Sequence, residues 1–293
     1  MKIQHWLISG SLSLGIAIAA FPAFADDGRT DCSSRLPSHG ALQNALDGAV
    51  GVQGNGGLGF NMWATIVAVD GTVCAVAFSG QQYTDQWLAS RVISAQKANT
   101  ANGLSLGEGS HIPGGSLFPN GLALSTANLY SAVQPGGSLY GLQHSNPVDP
   151  EIAYFGNAVL FGTANDPLVG RRVGGINVFG GGLVLMKTGG IRVGGVGVSG
   201  DQSCTDHMVA WRVRNALGLD HFGPKGSPVG GVAALPPTND TAHPDNIIFD
   251  ISPTPNGGEL NPGGTLSQST SGFGHPTCIN NPDTSTLPPV QYP

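Results

Sequence analysis

Residues 174–217 read GGINVFGGGLVLMKTGGIRVGGVGVSGDQSCTDHMVAWRVRNAL, and this stretch decides the fold. Apolar and β-branched residues at 183–186 and 191–198 flank the turn Lys187-Thr188-Gly189-Gly190, the pattern of a β-hairpin. Ser203 and Asp206 then form a short variant of the capping box. They open a helix with Val209, Val213, Ala216 and Leu217 on its core face and Gly218 as its stop. Within the same stretch Gly195, Gly197 and Gly200 spell G-x-G-x-x-G, with Asp220 twenty residues further on. A dinucleotide site of that spelling needs a parallel βαβ unit. Here the preceding strand is the second arm of a hairpin, and the chain after the helix is rich in proline and glycine. The glycines therefore read as positions of close approach between strand and helix.

Working outward, residues 38–50 predict a short helix with Ser38 as N-cap and Leu42, Ala45, Leu46 and Ala49 on one face. Residues 62–69 are apolar and β-branched, a buried strand. Asp70-Gly71 is a strong two-residue hairpin signal, and 72–78 is the returning strand. Residues 84–101 predict a helix capped by Thr84, with Trp87, Leu88, Val92, Ala95 and Ala98 as its apolar stripe. Residues 103–172 lack periodicity but carry aromatic and leucine anchors, so they read as an ordered insertion over the core. The tail after His221 is irregular, with one expected strand at 247–251.

Lys2, the apolar run 6–20 and Ala23-Phe24-Ala25 predict a signal peptide over residues 1–25, cleaved to release a secreted or periplasmic protein. No later segment is long and apolar enough to span a bilayer. The remaining organisation reads as a core domain over 26–222, interrupted at 103–172, and an extension over 223–293. Charged residues are 10% of the chain against about 25% in ordinary proteins, and the formal charge is −6. This balance excludes nucleic acid and anionic membrane surfaces as partners. Four cysteines, Cys32, Cys74, Cys204 and Cys278, predict two disulfides in an oxidising compartment. Of the three connectivities, Cys74–Cys204 and Cys32–Cys278 are expected, the first joining core elements and the second tying the chain ends.

The ordered set Val67-Ala68-Val69-Asp70-Gly71, Lys97-Ala98, Gly174-Gly175-Ile176, Val193 to Gly200 and Asp206 resembles the GlcG/HbpS haem-binding family over roughly 38–102 and 173–218. The resemblance implies an α+β fold, an antiparallel sheet with helices on one side. It also implies haem as cofactor, an iron-related role and a homo-oligomer. The insertion, the extension and the signal peptide depart from the family pattern.

Haem needs an apolar slot, an axial ligand and cationic or N–H partners for its propionates. His207, beside Asp206, and His144, in the insertion, are the candidate iron ligands. Lys97, which matches the family, and the basic pair Arg171-Arg172 are candidate contacts to the cofactor. His111 and His221 are further histidines of the same kind. Gly197-Val198-Ser199-Gly200-Asp201 misses the nucleophile-elbow pattern at its last position, and no metalloprotease, P-loop or EF-hand motif occurs. No catalytic residue is named on this basis. The expected function is secreted haem binding or sequestration. An enzyme acting on haem or a small organic molecule, and a non-catalytic structural or interaction module, are the alternatives.

Overall fold

The computed structural model describes Cys32, residues 34–252 and residues 268–292. The signal-like segment 1–25 lies outside the described residues. Helix α1 spans His39–Val50. Ser38 caps it by accepting from the N–H of Ala41, and Leu42, Ala45, Leu46 and Ala49 are its buried face, as the periodicity requires. Strands β1 (Trp63–Ala68) and β2 (Val73–Phe78) form the hairpin around Asp70-Gly71. Helix α2 spans Ser90–Gly103 and so starts six residues later than Thr84. The cause is local. The Asp85 carboxylate accepts from the N–H groups of Gln81 and Gln82, and Gln86 bonds Gly80 and Gln82, which ties 80–86 into a turn. Trp87 and Leu88 stay half exposed instead of joining the stripe.

Strand β3 (Leu122–Ala123) and the single-turn helix α3 (Pro150–Ala153) belong to the insertion. Strands β4 (Gly182–Lys187) and β5 (Ile191–Ser199) form the second hairpin, and helix α4 runs Ser203–Ala216, with Gly218 in the left-handed region just beyond. β6 (Gly230–Gly231), β7 (Ile251–Ser252) and β8 (Gln268–Ser269) are two-residue pieces of the extension. The strand expected over 247–251 is thus limited to its last residue, while Ile247 and Ile248 are buried in irregular chain.

The main sheet has four antiparallel strands in the order β2-β1-β5-β4. The helices occupy both of its faces instead of one. Met62, Ala64, Ile66, Val196 and Val198 pack with α1 and α4, while Trp63, Val67, Val73 and Val76 pack with α2 and the insertion residues Ala153 and Leu168. Successive strand residues point to opposite faces, and here both sets are apolar, so two layers of helix are needed to cover them.

The G-x-G-x-x-G glycines have a packing role, and the partner of Gly195 and Gly197 is α2, not the helix that follows them, while Gly200 lies against Asn61 and Met62. A Cβ at Gly197 would sit 1.9 Å from the carbonyl oxygen of Ser94, and one at Gly195 would sit 2.3 Å from that of Ala98. Bare backbone lets α2 lie directly on β5. Insertion and extension meet on the outside. β3 pairs in parallel with β6, and Leu124, Leu129 and Val133 pack on Val232, Ala233 and Ile248.

The disulfides are Cys32–Cys74 and Cys204–Cys278, with Cα separations of 5.3 and 6.2 Å. This overturns the expected Cys74–Cys204 and Cys32–Cys278 pairing. The sheet register gives the reason. Trp63 pairs with both Phe78 and Ser199, so α4 begins at the Phe78 end of β2. Cys74 lies four residues back along β2, about 13 Å away at ~3.3 Å per residue, and cannot reach Cys204. Cys74 instead meets the segment before α1.

Gly197→Ala is expected to destabilise the protein by about 1–3 kcal/mol or more through overpacking. Gly48→Ala, at an exposed and open position within α1, is expected to stabilise it by up to ~1 kcal/mol. Urea unfolding of the two variants checks both signs.

Candidate functional site

Lys97 and Asp206 meet where β4 begins. Lys97 comes from α2 and Asp206 from the first turn of α4, helices on opposite faces of the sheet. Their side chains meet with Nζ 2.6 Å from Oδ2, both fully buried. Lys97 Nζ also donates to the carbonyl of Val198 at 3.0 Å and lies 3.8 Å from the centre of the Phe179 ring. The run Gly180-Gly181-Gly182 makes room for this. Gly181 has φ +112°, and a Cβ there would lie 2.2 Å from Val198 O and 3.1 Å from Lys97 Nζ.

Asp206 is not the second member of a capping box. Its Oδ1 accepts from the N–H groups of Gly200 and Asp201 at 3.1 and 2.9 Å, closing the GVSG turn. The Asp201 carboxylate accepts from Leu58, Phe60 and Gln202 in the same way. Burial is the main cause that pushes the Asp206 carboxyl up to about 6, against the pull of Lys97. Burial also lowers the Lys97 ammonium.

Ser203 faces the extension. Its Oγ accepts from the N–H of Gly180 at 2.6 Å and lies 2.6 Å from Nε2 of His275, whose Nδ1 lies 2.6 Å from the carbonyl of Pro276. An Nδ1–H tautomer satisfies every partner, with Ser203 donating to Nε2. The spacing resembles that of a nucleophile and its base. Burial, however, lowers His275 to about 4, and the serine oxygen is already engaged by Gly180, so the pair is a structural tie. Cys204, His275 and Cys278 offer ligand atoms within 4.8 Å of one another, but both sulfurs are spent in the disulfide.

His207 is fully buried beside Trp211. Its Nε2 lies 3.1 Å from Oδ1 of Asn246, which also accepts from the N–H of Ile247 at 2.8 Å. The N–H of Ile247 also donates to Nε2, at 3.2 Å, and Nδ1 is buried with no partner. Burial lowers His207 to about 4, so it is neutral at pH 7. Next to it, Arg214 of α4 makes a two-pronged buried pair with Asp245 at 2.6 and 3.0 Å.

The five residues named for haem do not come together. Lys97 and His207 are sealed in the interior. His144 is exposed on a short 3-10 turn of the insertion. Arg171 is exposed over the Phe155 ring, and Arg172 pairs with Asp70 at the β1–β2 turn. Nε2 of His207 is taken, and none of the five lines either of the two surface concavities beside the start of α1 and the end of α4. This set therefore does not fit haem. The residues that close the centre, Asn246, Asp245 and His275, lie in the irregular extension, where no periodicity marks them. The one sequence signal near them is the triple glycine at 180–182.

No protein-family profile and no curated protein matches the chain. Among solved structures, the chain is similar to a PduOC:heme complex, at 22% identity and TM-score 0.39 over 61% of this chain and 91% of that one. It is also similar to the Klebsiella pneumoniae protein ORFY, assigned to DUF336, at 23% identity and TM-score 0.38 over 62% of this chain and 90% of that one. No helix among the described residues is long and apolar enough to cross a membrane.

Asp206→Asn keeps the acceptor for Gly200 and Asp201 but leaves a buried lysine uncompensated. It is expected to cost about 3–5 kcal/mol, and Lys97→Met in the same chain is expected to recover much of that in denaturant unfolding. The buried histidines also set a pH dependence. Each is depressed to about 4, so its stabilisation is present above about 6.5 and is lost as pH falls towards 4. Asp206, raised to about 6, acts oppositely between 3.8 and 6. Two histidines against one carboxylate leave a net uptake of one proton on unfolding in that window. Stability is expected to fall by about 1.4 kcal/mol per pH unit below pH 6, and His275→Gln is expected to flatten the slope.

Proposed function

We propose that this protein is a secreted binding protein for an amphipathic, carboxylate-bearing small molecule, with haem the first candidate, and that the ligand is taken up at the outer surface. The ordered motifs around Lys97, the GVSG turn and Asp206 support the ligand class by their resemblance to the GlcG/HbpS family. The observation that carries the location is the closure of the centre. Lys97, Asp206, His207 and His275 are all buried and engaged with the chain itself. The core acts as a rigid scaffold, and what it presents lies outside it. Secretion is part of the same proposal. Two disulfides are what a chain exported to an oxidising compartment uses to hold irregular segments in place.

Absorption titration with haem tests this reading. A saturable Soret shift that persists in His207→Gln is the expected result. No Soret change at all rejects haem, and a shift lost only in a folded His207→Gln protein moves the site back to the centre.

A further inference from the structure

The lysines and arginines among the described residues are few, and most are committed. Arg91, Lys97 and Arg214 form buried ion pairs, and Arg172 pairs with Asp70. Arg192 donates to the carbonyl of Asn102, Arg212 to Asn55 and Thr286, and Arg171 lies over Phe155. Among the described residues the side chains of Arg35, Lys187 and Lys225 remain without a hydrogen bond, ion pair or ring contact. Two of these three, Arg35 and Lys187, line one concavity of about 560 Å³.

That groove lies where the chain enters α1, where the β4–β5 hairpin turns and where α4 ends. Ile191, Leu217 and Leu219 supply apolar wall, and His221 lines it with Nδ1 buried and unpartnered. Among the described residues no aspartate or glutamate lines it. The adjoining Asp220 is held by Asn215 and Gln291. A second concavity of about 370 Å³ shares Pro37 and Leu217 with it and extends it along Ala41 and Ala45 of α1. The C-terminal carbonyls of α4 contribute only about half a unit of negative charge, so the two full cations set the sign. Ile191 is 52% exposed, an unusual position for an isoleucine at the mouth of a cationic groove.

We propose that this groove binds the acid group of an amphipathic anion between Arg35 and Lys187 and its apolar body along Ile191 and Leu217. The proposal rests on the reading above that ligand is taken up at the surface, and it names where. Arginine gives the forked donor pair that a carboxylate accepts, and lysine adds a mobile point charge. In a chain of net charge −6 an anion is repelled elsewhere and is steered here by local charge.

The purified protein is titrated with anilinonaphthalene sulfonate, a fluorescent amphipathic anion, and separately with haem. Saturable one-to-one binding is expected, and Arg35→Glu combined with Lys187→Glu is expected to weaken it roughly tenfold or more. Lys225→Glu, the matched change outside the groove, leaves it unaltered, and Lys187→Gln gives an intermediate loss. Sulfonate binding unchanged in the double variant, or reduced equally by Lys225→Glu, overturns the groove. Haem uptake indifferent to the double variant also overturns the groove and leaves the haem reading standing. Sulfonate binding that depends on both cations, without haem uptake, keeps the groove and rejects haem. Binding of neither probe overturns both.

Discussion

A lysine and an aspartate, each fully buried, connect helices that lie on opposite faces of the sheet. Lys97 reaches from α2 past the thin start of β4 to Asp206 in α4. The passage exists only because Gly181 and Gly182 present no side chains there and because α2 rests on bare backbone at Gly195 and Gly197. Two charges removed from water cost several kcal/mol each, and close geometry with further hydrogen bonds has to offset that. Val198 O, the Phe179 ring and the N–H groups of Gly200 and Asp201 supply those contacts. The pair thereby fixes α2, the GVSG turn and α4 in one relative position.

The accessory segments are attached by the same device. Arg91 of α2 holds Asp166 of the insertion in a two-pronged pair, and Arg214 of α4 holds Asp245 of the extension. Cys204–Cys278 fastens the extension again at the start of α4, and Cys32–Cys74 fastens the chain before α1 to β2. A chain so poor in charge uses its ionic groups inside, as single well-formed ties. The consequence for function is direct. The interior is committed to holding the structure, and in the proposed reading a ligand meets groups left at the surface, Arg35 and Lys187 among them.

The local rules read this chain well where one element suffices. Ser38 and the Leu42–Leu46 face specify α1, Asp70-Gly71 specifies the first hairpin, and the Thr188-Gly190 turn specifies the second. They also excluded a nucleotide cradle at 195–200, because a hairpin arm cannot be the first strand of a βαβ unit. They misplaced the start of α2, since Asp85 and Gln86 bond locally and compete with the helix. They named Lys97 and His207, but as ligand contacts, because nothing in a sequence says whether a polar side chain ends in solvent or in the core.

The sequence by itself determined the four strands of the main sheet, its two hairpins and their antiparallel sense, since each depends on side-chain pattern within about ten residues. Tertiary structure alone decided that helices cover both faces, which cysteines pair, and that the centre around Asp206 is closed by Asp245, Asn246 and His275. Those outcomes depend on register across four strands and on contacts between residues far apart in the chain, such as Lys97 and Asp206, 109 positions apart. Distance along the chain carries no record of such contacts, and only packing in three dimensions brings the groups within reach.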